Sequence, residues 1–431
     1  MKQAREGMVL ALPIQHPVRQ GTVLLRQGAT LEERSISRLR EIHCPEVWID
    51  YPPLEFIAQY INTKAMEAHR NVLRSMSESF TGITDSASAK LDYPRYRRAV
   101  TTLLGAIRDK PKAALFLNEM VSGHRPLARH AGNVCMLSLL TGLKLDFYLV
   151  RERPRLSPVL AQDVSTLGLA GMLHDVGMLR LEEPLLLAWE DGADEEDPRF
   201  AEHVRHGRRM LQGQVDPVSA NAVLHHHQHF DGTGFPHEFE RDGQPIGQRG
   251  RRIHIFARII TACDLFDRLS YPPSCRASPG PPRPQPAVRT FKQMLQAPYS
   301  DWVDPMVLRG LMAVVPPYAP GTIVELSDGT NAVVVEWDRG EPCRPTVTLL
   351  PELAEPGSGP GGFRRDDDQP AETIDLRRRP DLFIRRVGDE LVENDNFYSD
   401  GAEQYDVLEA AKAMLNRAGK LEEAASVRRA G

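Results

Sequence analysis

No two cysteines of this chain stand in a CxxC pair: Cys44, Cys135, Cys263, Cys275 and Cys343 are widely scattered. That spacing excludes a zinc ribbon and a redox dithiol, and thiols used as small core residues fit a reducing compartment. No run of about 18 apolar residues occurs, so no membrane span is expected. The opening MKQAREGMVLALPIQ has a short apolar stretch broken by Pro13 and Gln15, with no small-residue cleavage site after it, and does not read as a secretory signal. A cytoplasmic protein is expected. Aromatics are only 6 % of residues, which argues against a base-stacking platform. Charge of one sign is also lacking, with 53 basic against 58 acidic residues and a net charge of −5. A broad nucleic-acid surface, and with it a DNA partner, is not expected.

What remains is a globular composition, 41 % apolar and 26 % charged over 431 residues, enough for two or three domains. Residues 1–55 read as a small α/β module. MVLALPI, TVLL and VWID have strand composition, and Thr30 with Glu33 makes a capping box for the helix LEERSISRLREI. Residues 56–122 read as a helical connector, with helices TKAMEAHRNVLRSM and RYRRAVTTLLGAI separated by a Ser/Thr-rich stretch. Residues 123–315 are mainly helical. Ser157-Pro158, Asp197-Pro198 and Asp216-Pro217 are helix starts, since proline suits the first helical position and Ser or Asp can cap before it; Pro126 opens a further helix. Within 316–354, Asp328-Gly329 joins two β-branched runs into a hairpin. Residues 355–400 are Gly/Pro/charge-rich and read as a flexible linker. At 401–431 an amphipathic helix carries Val407, Leu408, Ala411, Met414 and Leu415 on one stripe. That stripe predicts docking on the same chain or a partner, including a homodimer.

Eleven of the fourteen histidines fall between His124 and His254. On the helix from Pro126, His130 shares a face with Leu127, Val134 and Leu137. After Pro158, His174 shares one with Leu160, Val164, Leu167 and Gly171, and Asp175 follows. His203 lies with Phe200, Gly207 and Met210. The helix after Pro217 ends in His225-His226-His227, and RIITACDLFDRLS sets Asp264 among apolar residues. Singly, each has an ordinary reading: an inward histidine is more often a hydrogen-bonded core residue than a ligand, Asp264 could pair with Arg258, and a histidine run could be a solvated tract. Five successive helices that aim His or Asp inward are another matter. Burying so many unsatisfied polar groups costs several kcal/mol per group, and one or two divalent cations would satisfy them. Imidazole and carboxylate without thiolate suit Fe, Mn, Zn or Ni. Neighbouring ligands diverge by about 100° on a helix, so His174-Asp175 and His226-His227 can each span two metals. Such a pair of ions activates water and neutralises a phosphoryl group.

The motifs resemble a known family. LHDVG, Leu173 to Gly177, is similar to the signature of the HD metal-dependent phosphohydrolases. The run from His226 to Pro236 resembles the HHExxDGxGYP segment of the HD-GYP subgroup, HVRHG from His203 resembles its HPxxG, and ARIITACDLFD resembles its ARIxxxxDxxD. The small N-terminal module and the hairpin also look like companions of that subgroup. The resemblance implies a mainly α, HD-type helical bundle with a small N-terminal α/β module and a C-terminal β-hairpin followed by a flexible tail. It implies a phosphodiesterase that hydrolyses cyclic di-GMP to pGpG and/or GMP through a hydroxide activated by two divalent metals, with Fe or Mn favoured and Zn possible. By motif position, His130, His174, Asp175 and Asp264 would hold one metal; Asp175, His203, His226 and His227 would hold the other. His174 and Asp175 would carry catalysis, and the loop with Gly232, Gly234, Phe235 and Pro236 would shape the substrate pocket.

Several matched positions depart from the family pattern. Met178 stands where a lysine is usual, Gln228 where a glutamate is, and Phe235 where GYP has tyrosine. Pro126 occupies the place of a glutamate found in members with three metals, so two metals are expected. SYPPSCR replaces a basic segment and leaves Arg268 and Arg276 as candidate phosphate contacts. His206, His225, His229 and His237 match no ligand position and are expected to be solvated or supporting. The same residues also suit a slow or inactive domain that senses a nucleotide or docks on a signalling protein, or a phosphohydrolase for another nucleotide.

Overall fold

In the computed structural model the described residues are 4–16, 22–42, 44, 47–50, 59–85, 91–110, 126–190, 198–239, 245–246, 248–272, 284–338, 340–350 and 372–397. The N-terminal module contains β1 (Val9–Leu10), β2 (Ile14–Gln15), β3 (Val23–Leu25), α1 (Glu33–Glu41) and β4 (Ile49–Asp50). β1 pairs antiparallel with β4, and β2 with β3. Leu10, Ile14, Leu31, Ile36 and Leu39 form a small core of their own. The expected capping box does not form. Glu32 is the N-cap of α1, and Thr30 is drawn into a backbone bridge with Val9 instead.

The helical body follows: α2 (Thr63–Asp85), α3 (Tyr93–Asp109), α4 (Pro126–Lys144), α5 (Asp146–Glu152), α6 (Pro158–Ala161), α7 (Ser165–Leu173), a 3-10 turn at Val176–Arg180, α8 (Glu183–Glu190), α9 (Glu202–Leu211) and α10 (Pro217–His225). After a short pair β5 (Glu238–Phe239) and β6 (Pro245–Ile246) come α11 (Ile255–Ser270), α12 (Ala287–Met294), α13 (Tyr299–Trp302) and α14 (Pro305–Met312). α4 is buried from Leu127 to Gly142 and packs on α2, α7 and α11. α2 and α3 are therefore part of the main core rather than a separate connector, since Val72, Met76, Tyr96 and Val100 belong to the same apolar cluster as α4, α7 and α11. No single described helix is long and apolar enough to cross a membrane.

Two helix starts differ from the sequence expectation. The segment after Pro158 is two helices, because Asp163 accepts the Ser165 backbone N–H at 3.0 Å and starts α7 afresh. Leu160 then lies outside the inward face and is 58 % exposed. After Pro198, turns precede α9, which begins at Glu202; Asp197 lies outside the described residues. Asp216 caps α10 as expected through the Ser219 N–H at 3.0 Å.

The expected hairpin is present as β7 (Ile323–Leu326) and β8 (Asn331–Glu336), with Gly329 at φ +88°. It is the centre of a larger antiparallel sheet with β9 (Thr346–Leu349), β10 (Thr373–Asp375), β11 (Ile384–Val387) and β12 (Glu390–Leu391), in the order β10-β9-β8-β7-β11-β12. The linker expected over 355–400 is thus wrong for its second half. Leu376, Leu382, Ile384, Val392 and Phe397 are buried in the main core, and their apolar spacing is hidden in composition by the surrounding Arg and Asp. Residues 351–371 and the amphipathic segment 401–431 lie outside the described residues.

Candidate metal centre

Five separate elements bring seven side chains to one buried point. His130 comes from the second turn of α4, and His174 from the residue that ends α7. Asp175 precedes the 3-10 turn, His203 lies in the first turn of α9, and Asp264 sits midway along α11. His226 and His227 follow the end of α10. All seven are at most 5 % exposed. The chain can pass so closely here because Gly177 lies against α9: a Cβ at that position would be 1.9 Å from the His203 carbonyl oxygen.

Asp175 divides the cluster. Its Oδ2 faces His174 Nε2 at 3.4 Å and His130 Nε2 at 3.6 Å, while its Oδ1 faces His203 Nε2 and His226 Nε2, each at 3.4 Å. Asp264 Oδ1 stands 3.1 Å from His130 Nε2 and 3.9 Å from His174 Nε2. The ligand atoms form two groups, His130/His174/Asp175 and Asp175/His203/His226/His227, each within 4.8 Å.

The opposite ring nitrogens are tied to the protein. Nδ1 of His174 meets the Gly171 carbonyl at 2.9 Å, that of His203 the Phe200 carbonyl at 2.6 Å, and that of His226 the Val223 carbonyl at 2.7 Å. A carbonyl only accepts, so each Nδ1 carries the proton and each Nε2 presents a lone pair to the centre. His226 Nε2 is buried without a hydrogen bond. The converging lone pairs of His174, His203 and His226, beside a carboxylate, form a donor set fit for divalent cations.

Electrostatics agree. Burial pushes His174 down to about 4, and burial with the neighbouring His226 and His203 holds His227 well below its ordinary value, so both are neutral imidazoles at pH 7. Burial opposes ionisation of Asp175, yet His174, His203 and His226 outweigh it and hold the carboxyl well below the usual range. Asp264 is lowered against its burial by Arg268 and His130. His130 is the exception: burial would lower it, but Asp264 and Asp267 raise it to about 10.

The glycine-rich loop lies against this centre. Phe235 stacks on His227 with ring centroids 4.6 Å apart, and its N–H donates to the His227 carbonyl at 3.0 Å. A Cβ on Gly234 would be 2.0 Å from that carbonyl oxygen, and Gly232 has φ +91°. Gln228 Nε2 donates to the Pro236 carbonyl and closes the loop. Met178 is fully buried in the apolar core and puts no cation here. Arg258, the alternative partner for Asp264, is taken by Glu152 and Asp304. His225 is buried, His229 stacks on Trp302 at 4.1 Å, and His237 is exposed.

Three supporting residues, Asp267, Asn133 and Trp189, were not assigned a role from sequence. Asp267 receives His130 Nδ1 at 2.7 Å, and Asn133 donates to its other oxygen at 2.8 Å. The signal was available, because Asp267 follows Asp264 by three positions and shares its helix face. Trp189, edge-on to His130 at 5.6 Å, had none.

Comparison with known proteins adds the following. The HD domain family matches residues 149–305, a span that includes every cluster residue except His130. The chain is 28 % identical over 241 residues to the cyclic di-GMP phosphodiesterase PA4108 of Pseudomonas aeruginosa, covering 55 % of this chain and 51 % of that protein. It is 31 % identical over 111 residues to the cyclic di-GMP phosphodiesterase response regulator RpfG of Xanthomonas campestris pv. campestris, covering 25 % and 27 %. A solved structure, Bd1817, a HDG"Y"P protein from Bdellovibrio bacteriovorus, aligns over 72 % of this chain and 96 % of that one, at 14 % identity and a TM-score of 0.39. The chain thus spans about half the length of the first curated relative and about a quarter of the second. The segment 149–305 thus matches the HD domain, and His174, Asp175, His203, His226, His227 and Asp264 are gathered inside it, with His130 contributed from the helix before it.

Proposed function

We propose that the protein is a metal-dependent phosphodiesterase that hydrolyses cyclic di-GMP to pGpG and/or GMP. The observation that carries this reading is the place of Asp175, whose two carboxylate oxygens face two different pairs of imidazoles 3.4–3.6 Å away. That arrangement suits two divalent cations, one held by His130, His174, Asp175 and Asp264 and the other by Asp175, His203, His226 and His227. Fe or Mn is favoured by the imidazole and carboxylate donors, and Zn is compatible. When bound, such ions activate water as a nucleophile and offset charge on the phosphoryl group. The chain's own residues do the rest. The carbonyls of Gly171, Phe200 and Val223 keep the Nε2 atoms unprotonated, and burial excludes bulk water. The Gly232–Pro236 loop, braced by Phe235 on His227, shapes the side on which substrate would lie. The curated relatives named as cyclic di-GMP phosphodiesterases support this substrate.

Met178 and Gln228 favour a second reading. The first is buried in the core, and the amide of the second is spent on a loop carbonyl, so neither supplies a charged group near the centre. On that reading the domain binds metal but turns over slowly, and serves as a nucleotide sensor or adaptor.

One assay separates the two. Protein purified without oxygen and loaded with Mn or Fe is measured for metal per chain and for conversion of cyclic di-GMP, beside the His174→Ala/Asp175→Ala variant. The expected result is about two metals per chain and metal-dependent product that the variant loses. Metal without product favours the sensor, product from another nucleotide alone redirects the substrate, and absence of metal overturns both readings.

A further inference from the structure

Beside the cluster, at its α4–α11 edge, is a cavity of about 10 Å³ lined by Arg129, His130, Trp189, Asp267, Arg268 and Tyr271. Arg129 is 6 % exposed, and among the described residues its guanidinium meets no carboxylate. It lies over the Tyr271 ring at 4.1 Å from the centroid, and its Nε has no hydrogen bond. Burying a cation in this way is costly unless something compensates it. The one carboxylate on the cavity wall, Asp267, turns its two oxygens to His130 and Asn133. Arg268 enters from the last turn of α11, 26 % exposed, with Nη2 at 3.1 Å from Asp264 Oδ2.

We propose that Arg129 and Arg268 form a subsite that receives one anionic oxygen of a phosphoric ester seated at the neighbouring centre. The cavity has room for one water-sized atom, which fits a single phosphoryl oxygen and not a whole phosphate. Arginine suits the task because its planar fork directs several N–H groups at one oxyanion. Tyr271 stacks the Arg129 guanidinium in place, which limits the entropy lost when the anion arrives. The inference rests on the phosphodiester reading above for its substrate, but the anion site can be tested apart from turnover.

The test uses Arg129→Met and Arg129→Lys in the full chain. Inorganic phosphate, read by thermal shift, should protect the wild type and protect Arg129→Met at least about tenfold more weakly, the loss expected for one charge-assisted hydrogen bond. Without phosphate, the Tm of Arg129→Met should be equal to or above the wild-type value, because an uncompensated buried cation has been removed. Metal per chain should not change. With cyclic di-GMP, KM should rise about tenfold at similar kcat, as for lost uniform binding, and Arg129→Lys should recover part of it. Turnover with unchanged KM and unchanged phosphate protection in Arg129→Met overturns the subsite and leaves the phosphodiesterase standing. Phosphate protection that Arg129→Met loses, in a wild type that does not convert cyclic di-GMP, supports the subsite and overturns the phosphodiesterase. A fall in Tm without any change in phosphate protection assigns Arg129 to packing and overturns the proposal.

Discussion

Asp267 Oδ2 lies 2.7 Å from His130 Nδ1, on the side of the ring turned away from Asp175 and Asp264. The other tied histidines of the cluster lean on neutral carbonyls, so His130 alone has a full charge behind it. Asp264 on the one side and Asp267 on the other raise its proton affinity to about 10, against the pull of burial. In metal-free protein at pH 7 this imidazole is therefore charged, and a metal must displace its proton.

Asp267→Asn removes the charge at nearly constant shape. Metal affinity should fall about tenfold to a hundredfold, the range for loss of a ligand's supporting carboxylate. Proton release on metal binding at pH 7 should fall, since one of the two carboxylates that hold the His130 proton is gone. Calorimetry in buffers of different ionisation enthalpy reads both; unchanged values would remove Asp267 from the site.

Asp175→Ala should lose both metals together, since one carboxylate faces both groups of imidazoles. Metal per chain after dialysis decides the matter. A variant that keeps one ion at full occupancy would show that the two groups are independent.

Gly177→Ala places a methyl 1.9 Å from the His203 carbonyl oxygen and 2.4 Å from the Gly207 nitrogen, both of them backbone. Neither atom can rotate aside. A loss of about 3 kcal/mol is expected, at the upper end for overpacking, together with weaker metal binding because His203 must shift. Urea denaturation with metal analysis checks it, and a stability within error of wild type would count against the close α9 contact.

His254 caps α11: its Nδ1 accepts the Phe256 N–H at 3.2 Å, which requires the ring to be unprotonated there. Burial, with Arg153 and Arg258 nearby, lowers it to about 4. A lowered histidine stabilises the fold fully above its unfolded value of about 6.5 and loses that contribution as pH falls toward 4. His254→Asn keeps a capping acceptor and does not titrate. Between pH 7 and 4.5 the wild type should lose on the order of 2 kcal/mol more stability than this variant. Parallel denaturation midpoints across that range would refute the assignment.

Much of the site was legible in sequence because its ligands fall on helices with strong local signals. Pro126 and Asp216-Pro217 start helices where expected, and helical periodicity then sets which face His130 takes. Asp328-Gly329 likewise announces its turn, because few other pairs adopt that backbone. Local signals failed where a competing contact was non-local. Thr30 pairs with Val9 in place of capping α1, and Asp163 interrupts the helix after Pro158. The strands between 373 and 391 bury single apolar residues between charged ones, and that pattern acquires meaning only beside β7 and β9.

The sequence by itself determined which residues could be ligands and on which elements they ride, since residue type and helical period are local properties. Only the tertiary structure decided that Asp175 stands between two groups of imidazoles, that Asp267 backs His130, and that Arg129 is buried with no carboxylate against its guanidinium among the described residues. Those relations join α4, the segment after α7, and α11. They depend on distances between elements far apart in the chain, which packing sets and no local pattern encodes.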